Sequence, residues 1–207
     1  MATKLSNYHV SILLNECKEY YILDTYIALS HISSDIKGKY IIQTSDDSKS
    51  TLVNLVKRFC TTATYRTIFN CIDKLIDLNI LEYSTTLKGW TLVNMEKMTL
   101  SLDEASDEDK ALAKGYTHIR KLFLTEEFNK MKFREKRLII YLAQLKDSKS
   151  SNNYNEFKVN LLKNNSSWMK VLRTKCKYYE KYTITNLLNK YKDIFGTSAY
   201  VEFYVVI

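Results

Sequence analysis

Between Thr61 and Tyr83 the chain reads as a helix, an abrupt stop and a strand, an order that limits what its neighbours can build around it. Ile68, Ile72, Leu75 and Ile76 recur at the three- and four-residue steps that share one helix face, so the spacing predicts a helix over Thr62 to Leu78 with that stripe buried. Thr64, Arg66, Thr67, Asn70 and Lys74 fall largely on the other side. Asn79 stands where the helix must end, and asparagine tolerates the left-handed backbone of a C-terminal cap better than any residue except glycine. Two short β-prone runs follow, Ile80 to Ser84 and Trp90 to Asn94, around Thr85-Thr-Leu-Lys-Gly89, whose glycine suits a tight hairpin connection.

Upstream, Tyr20, Leu23, Tyr26 and Ile27 give Glu19 to Ser30 a helical stripe, and Tyr40 to Gln43 reads as a short strand. Asp46 to Ser50 offers capping side chains for a helix over Thr51 to Phe59, and Cys60 to Ala63 supplies the turn that follows. Helix, strand, helix, turn, helix and hairpin is the order of a winged helix. Ser101 to Lys110 is acidic and weakly apolar, which marks 101–115 as a linker. Beyond it the order repeats in pattern: a helix over Phe133 to Lys146, a strand over Glu156 to Leu161, a helix capped by Ser166 or Ser167 and running through Trp168, Val171 and Leu172, a helix over Tyr182 to Phe195, and a strand over Tyr200 to Ile207. The expected fold is α+β and mainly helical, with two winged-helix domains in tandem at 8–100 and 116–207.

Charge divides unevenly along the chain. The net +8 comprises 11 Lys/Arg against 10 Asp/Glu in residues 1–100, 2 against 5 in 101–115, and 18 against 8 in 116–207. A basic C-terminal half suits a polyanion, since each neutralised phosphate releases counterions, although a lysine-rich solvated surface gives the same count. No apolar run approaches the roughly 18 to 20 residues of a membrane span, and the N-terminus lacks an apolar signal core, so a cytoplasmic protein with no membrane partner is expected. Cys17, Cys60, Cys71 and Cys176 form no CxxC pair, which argues against zinc or a disulfide framework and for reduced, buried thiols. His9, His31 and His118 are isolated, there is no HExxH or phosphate-cradling glycine loop, and Asp46-Asp47 is explained by capping. These absences lead to the expectation of a non-enzymatic chain with no cofactor and no metal.

A helix entering the major groove presents its N-terminal residues to base edges, where Arg makes two bonds to guanine and Asn two to adenine. Arg66 and Asn70, one turn apart, suit neighbouring bases; Thr61, Thr62, Thr64 and Tyr65 suit phosphates or base edges, Thr67 and Lys74 lie on the same outer side, and Lys88 at the hairpin suits the adjacent backbone. Trp90 is expected in the core. In the second segment Lys170, Arg173, Lys175, Lys177, Lys181, Lys190 and Lys192 suit phosphate, with Thr183, Thr185, Asn186 and Asn189 supplying base contacts.

Taken together, the element order, the Ile68-to-Tyr83 run and the basic second segment make residues 8–207 resemble the tandem winged-helix replication initiators of bacterial plasmids and phages. The resemblance implies a protein that is not an enzyme, that binds origin repeats in double-stranded DNA, opens nearby A+T-rich duplex and recruits host replication proteins. By the same resemblance Thr64, Arg66, Thr67 and Asn70 fill the base-reading helix of the first domain, and Thr185, Asn186 and Asn189 that of the second. The near-neutral first domain departs from this pattern and suits a homodimer contact. A transcriptional regulator or centromere-binding plasmid-segregation factor would share the DNA chemistry, whereas a winged-helix protein-interaction adaptor would use its lysines for solubility alone.

Overall fold

The structure, a computed structural model, describes residues 4–95, 113–148, 156–160, 171, 177–191 and 200–204, with 148, 156–160, 177–181, 188 and 200–204 described at the level of the backbone. Strand β1 (Lys4–Ser6) runs into helix α1 (Asn7–Glu16), followed by α2 (Ile22–Ile32), β2 (Ser34–Ile36), β3 (Lys39–Gln43), α3 (Lys49–Lys57), α4 (Tyr65–Asp77), β4 (Leu81–Ser84) and β5 (Gly89–Leu92). Past residues 96–112 come β6 (Tyr116–His118), a 3-10 turn at Lys121–Leu124, α5 (Glu126–Lys130), α6 (Phe133–Ser148), β7 (Glu156–Asn160), α7 (Lys177–Lys190) and β8 (Tyr200–Tyr204). The architecture is α+β, with helices packed around small sheets.

Local chemistry explains the middle of the chain. Ser48 caps α3 by accepting a hydrogen bond from the Ser50 amide at 3.2 Å, and Thr64 caps α4 by accepting from the Thr67 amide at 3.1 Å. The cap therefore starts α4 three residues later than the periodicity predicts. Ile68, Cys71, Ile72 and Leu75 form its buried face, and Asn79 takes the expected left-handed backbone, with φ 52°. β2, β3, β5 and β4 lie side by side in that order, all antiparallel, with Ile41 opposite Thr91 and Thr91 opposite Glu82. The hairpin corrects one expectation. Lys88, not Gly89, is left-handed (φ 48°), and Gly89 opens β5 at a point where an added Cβ would lie 2.8 Å from the Ile42 carbonyl oxygen.

Two helices lack an amphipathic pattern because they are buried on every side. Residues 22–30 of α2 and 136–145 of α6 are sealed throughout, including Asp24, Lys136 and Arg137. One hydrophobic cluster extends from Leu5 to Tyr191 and includes Leu13, Tyr26, Ile72, Trp90, Phe128, Leu138 and Leu142. Residues on either side of the acidic stretch thus share a core. β1 pairs antiparallel with β6, and Asn7 clamps the junction: its amide donates to the Lys114 carbonyl at 2.8 Å and its carbonyl accepts from Thr117 at 2.6 Å.

Residues 101–112 of the expected linker, and most of the helix expected around Trp168, lie outside the described residues; Val171 is helical and buried. α7 begins at Lys177, ahead of the expected Tyr182, and ends at Lys190. β7 and β8 pair in parallel, from Glu156 opposite Tyr200 to Asn160 opposite Tyr204, whereas β3 and β5, their counterparts in the expected repeat, are antiparallel. A parallel pair needs a long crossover, which the chain between Asn160 and Tyr200 provides. No helix among the described residues is long and apolar enough to cross a membrane.

Candidate functional site

The outer face of α4 is held from behind and left open in front. Lys57, in the last turn of α3, donates to the carbonyls of Thr61 at 2.7 Å and Ala63 at 2.6 Å, which fixes the turn between the two helices. Tyr21, just ahead of α2, donates to Thr62 Oγ1 at 3.1 Å. With Thr64 engaged as the cap and its hydroxyl 2.8 Å from that of Thr67, the threonine hydroxyls expected to meet DNA are occupied first by the fold. Tyr65, Arg66 and Asn70 are exposed, whereas Thr67 and Lys74 are half-buried. Among the described residues, Arg66 and Asn70 make no hydrogen bond or ion pair, so their donors are free.

Beside them a groove of about 360 Å³ runs between α3 and α4, lined by Ser50, Val53, Asn54, Tyr65, Arg66, Phe69 and Asn70. Tyr65 is 57% exposed and Phe69 36%. Lys57 Nζ stands 6.0 Å from the Tyr65 ring centre, and Lys49 Nζ stands 5.5 Å from that of Phe69 while pairing with Asp73. Sequence reasoning passed over Phe69. The available signal was an aromatic residue four positions after Tyr65, off the Ile68–Ile72–Leu75 stripe.

Lys88 is exposed at the hairpin, as a residue flanking a nucleic-acid backbone would be. On α7, Thr185, Asn186 and Asn189 are exposed on one side while Ile184 and Leu187 pack inward. Thr183 is buried with them, and this corrects its expected role as a base contact: it sits on the core-facing stripe. Lys190 is exposed but pairs with Glu127 at 3.0 Å, and Tyr191 donates to the same carboxylate at 2.9 Å. These two hydrogen bonds hold the Glu127 carboxyl below its ordinary range. Lys177 and Lys181 lie on α7; Lys170, Arg173, Lys175 and Lys192 fall outside the described residues.

A second charged group is closed to solvent. Lys136 Nζ lies 2.8 and 2.9 Å from the two Asp24 oxygens and 4.3, 4.7 and 5.7 Å from the ring centres of Tyr20, Tyr21 and Phe128. Asn129 also donates to Asp24, at 3.2 Å. Burial pushes the Asp24 carboxyl up to about 6 against the opposing pull of Lys136, and burial likewise lowers Lys136. Arg137 donates to the carbonyls of Val171 at 2.7 Å and Cys17 at 3.3 Å, and to that of Leu14. Both cations are therefore unavailable to a polyanion, although they count toward the basic half.

Cys17, Cys60 and Cys71 are free and buried; burial raises Cys17 to about 11 and Cys71 to about 12, and pushes Cys60 up as well. His9 is sealed with Nδ1 3.0 Å from the Tyr26 hydroxyl, and His31 stacks edge-on to Phe59. Among the described residues no group of three or more His, Cys, Asp or Glu is placed to hold a metal ion. The chain matches no family profile, no characterised protein and no solved structure.

Proposed function

We propose that the chain is a sequence-specific double-stranded DNA-binding protein without catalytic activity, acting as a plasmid or phage replication initiator that binds origin repeats. The carrying observation is the open pair Arg66 and Asn70, exposed and unpartnered one turn apart on a helix whose cap, preceding turn and underside are all fixed. The helix backbone that carries them is fixed before binding, so the guanidinium and the amide start in register for two-bond contacts with guanine and adenine, and only the two side chains remain to be ordered.

Support also comes from order. α2, β3, α3, α4 and the β4–β5 hairpin run in the order a winged helix requires, with β5 between β3 and β4; in that reading α4 would be the reading helix and Lys88 would sit on the wing. The segment 116–207 would supply the second DNA-facing element of the tandem through Thr185, Asn186 and Asn189, with Lys177 and Lys181 on phosphates. A homodimer contact through the N-terminal region and contacts with host replication proteins complete the proposal. A promoter regulator or segregation factor would use the same chemistry at different loci.

Immunoprecipitating the protein with its DNA and sequencing the fragments tests this directly. Clustered repeats beside an A+T-rich stretch are the expected result; sites at promoters or a partition locus would replace the initiator role. If six to ten phosphates are neutralised, affinity falls by about 10³ to 10⁵ between 50 and 200 mM salt. No salt-dependent duplex binding would leave the protein-interaction adaptor instead.

A further inference from the structure

Two aromatic rings stand on the outer face of α4, where the core makes no demand for them. Tyr65 and Phe69 are one turn apart and lie off the buried Ile68–Ile72–Leu75 stripe, yet they remain among the most exposed large apolar side chains described. We propose that these rings read thymine through its C5-methyl group, so that the sequence bound by α4 carries thymines next to the guanine and adenine taken by Arg66 and Asn70. This rests on the DNA-binding function proposed above.

The lining of the groove specifies its occupant. Val53, Tyr65 and Phe69 make the apolar centre; Asn54 and Asn70 add amides; Lys49, Lys57 and Arg66 stand at the edge. Asp73, the carboxylate beside Phe69, is already paired with Lys49. A complementary ligand is apolar at its centre, offers hydrogen-bonding edges next to that centre, and is negatively charged around it. Major-groove DNA presents this combination, because the thymine methyl is the apolar group among the base edges and phosphates border the groove. Scattered single hydrophobic residues on a surface need no explanation, whereas these two rings share one groove with the free donors of Arg66 and Asn70.

The test uses the full chain. Duplexes are selected from a random pool, and each thymine of the selected site is then replaced singly by deoxyuridine, which removes the methyl and leaves base pairing intact. Binding is followed by fluorescence anisotropy at constant salt. One or two positions should lose about fourfold in affinity each, the value of one buried methyl. They should adjoin the positions whose preference is relaxed by Arg66→Ala and Asn70→Ala. In Phe69→Ala, thymine and deoxyuridine should bind alike at one of these positions, whereas Phe69→Leu, which keeps an apolar contact, should preserve most of the difference; circular dichroism checks that both variants fold. Equal binding of thymine and deoxyuridine at every position overturns the inference, as does unchanged duplex affinity in Phe69→Ala, the result expected if the rings serve a protein partner. Failure to select any duplex would overturn the DNA-binding function itself.

Discussion

Arg66 and Arg137 are the same side chain in opposite settings. Arg66 projects from α4 with its guanidinium unengaged, whereas Arg137 is fully buried in α6 and donates to the backbone carbonyls of Leu14, Cys17 and Val171. A cation left in water costs the fold nothing and stays available; a cation taken out of water must be satisfied by the fold and becomes part of it. The charge of a segment is therefore no map of its field. Lys136 and Arg137 belong to the most basic part of the chain and contribute no surface charge.

The strongest way to sharpen this contrast is to break the sealed side. Asp24→Ala leaves Lys136 buried without its carboxylate and should cost about 3 to 5 kcal/mol in urea unfolding, whereas Arg66→Ala should stay within about 0.5 kcal/mol. Replacing both members, Asp24→Leu with Lys136→Met, should recover most of the loss. On the open side, Arg66→Ala should weaken DNA binding by about 1 to 3 kcal/mol and relax preference at one base pair. Equal weakening across all sequences would remove its reading role.

The buried thiols give the stability of the fold a pH signature. Cys17 and Cys71 hold their protons to about 11 and 12 in the folded chain, above the ordinary value of 9.0 for an exposed thiol. From about pH 9 upward the unfolded chain loses protons that the native chain keeps, so stability should fall with rising pH through that window, by up to about 1.4 kcal/mol per pH unit for each such thiol. Urea titrations at pH 8, 9 and 10 would detect it. At pH 8 a thiol reagent should label these cysteines only after unfolding. The smallest effect expected is that of Lys177→Ala, which should weaken all DNA sequences alike and reduce the salt slope by about one.

What could be read from sequence was local. Residues 39 to 92 announced themselves through helical stripes, capping residues and Asn79, because each signal lies within a turn or two of what it controls. Pairing between β1 and β6 left no such trace, since three-residue strands are too short to show alternation. α1 was missed for a related reason: seven of its ten residues are buried, including Asn7, His9 and Ser11, so no polar face marks it. Nothing near Lys136 or Arg137 in sequence marks them as buried; Lys136 is satisfied by Asp24, 112 positions away, and Arg137 by the carbonyls of Leu14, Cys17 and Val171. At the candidate site, Arg66 and Asn70 were legible from the helical wheel, while the role of Phe69 depends on α3 standing beside it.

The clamp that joins Asn7 to Thr117 across 110 positions has a bearing on how the chain is made. As it leaves the ribosome, the stretch ending at Met95 has neither β6 to complete β1 nor α6 to cover the inner surfaces of α1 and α2. Its oily interior is complete only after Tyr191 has emerged, and closure depends on contacts distant in sequence, the kind that slow folding. A stall in synthesis between Met95 and Phe133 would leave a half-built, sticky nascent chain exposed for longer, so codon usage and chaperone supply in this window should govern how much soluble protein a cell recovers.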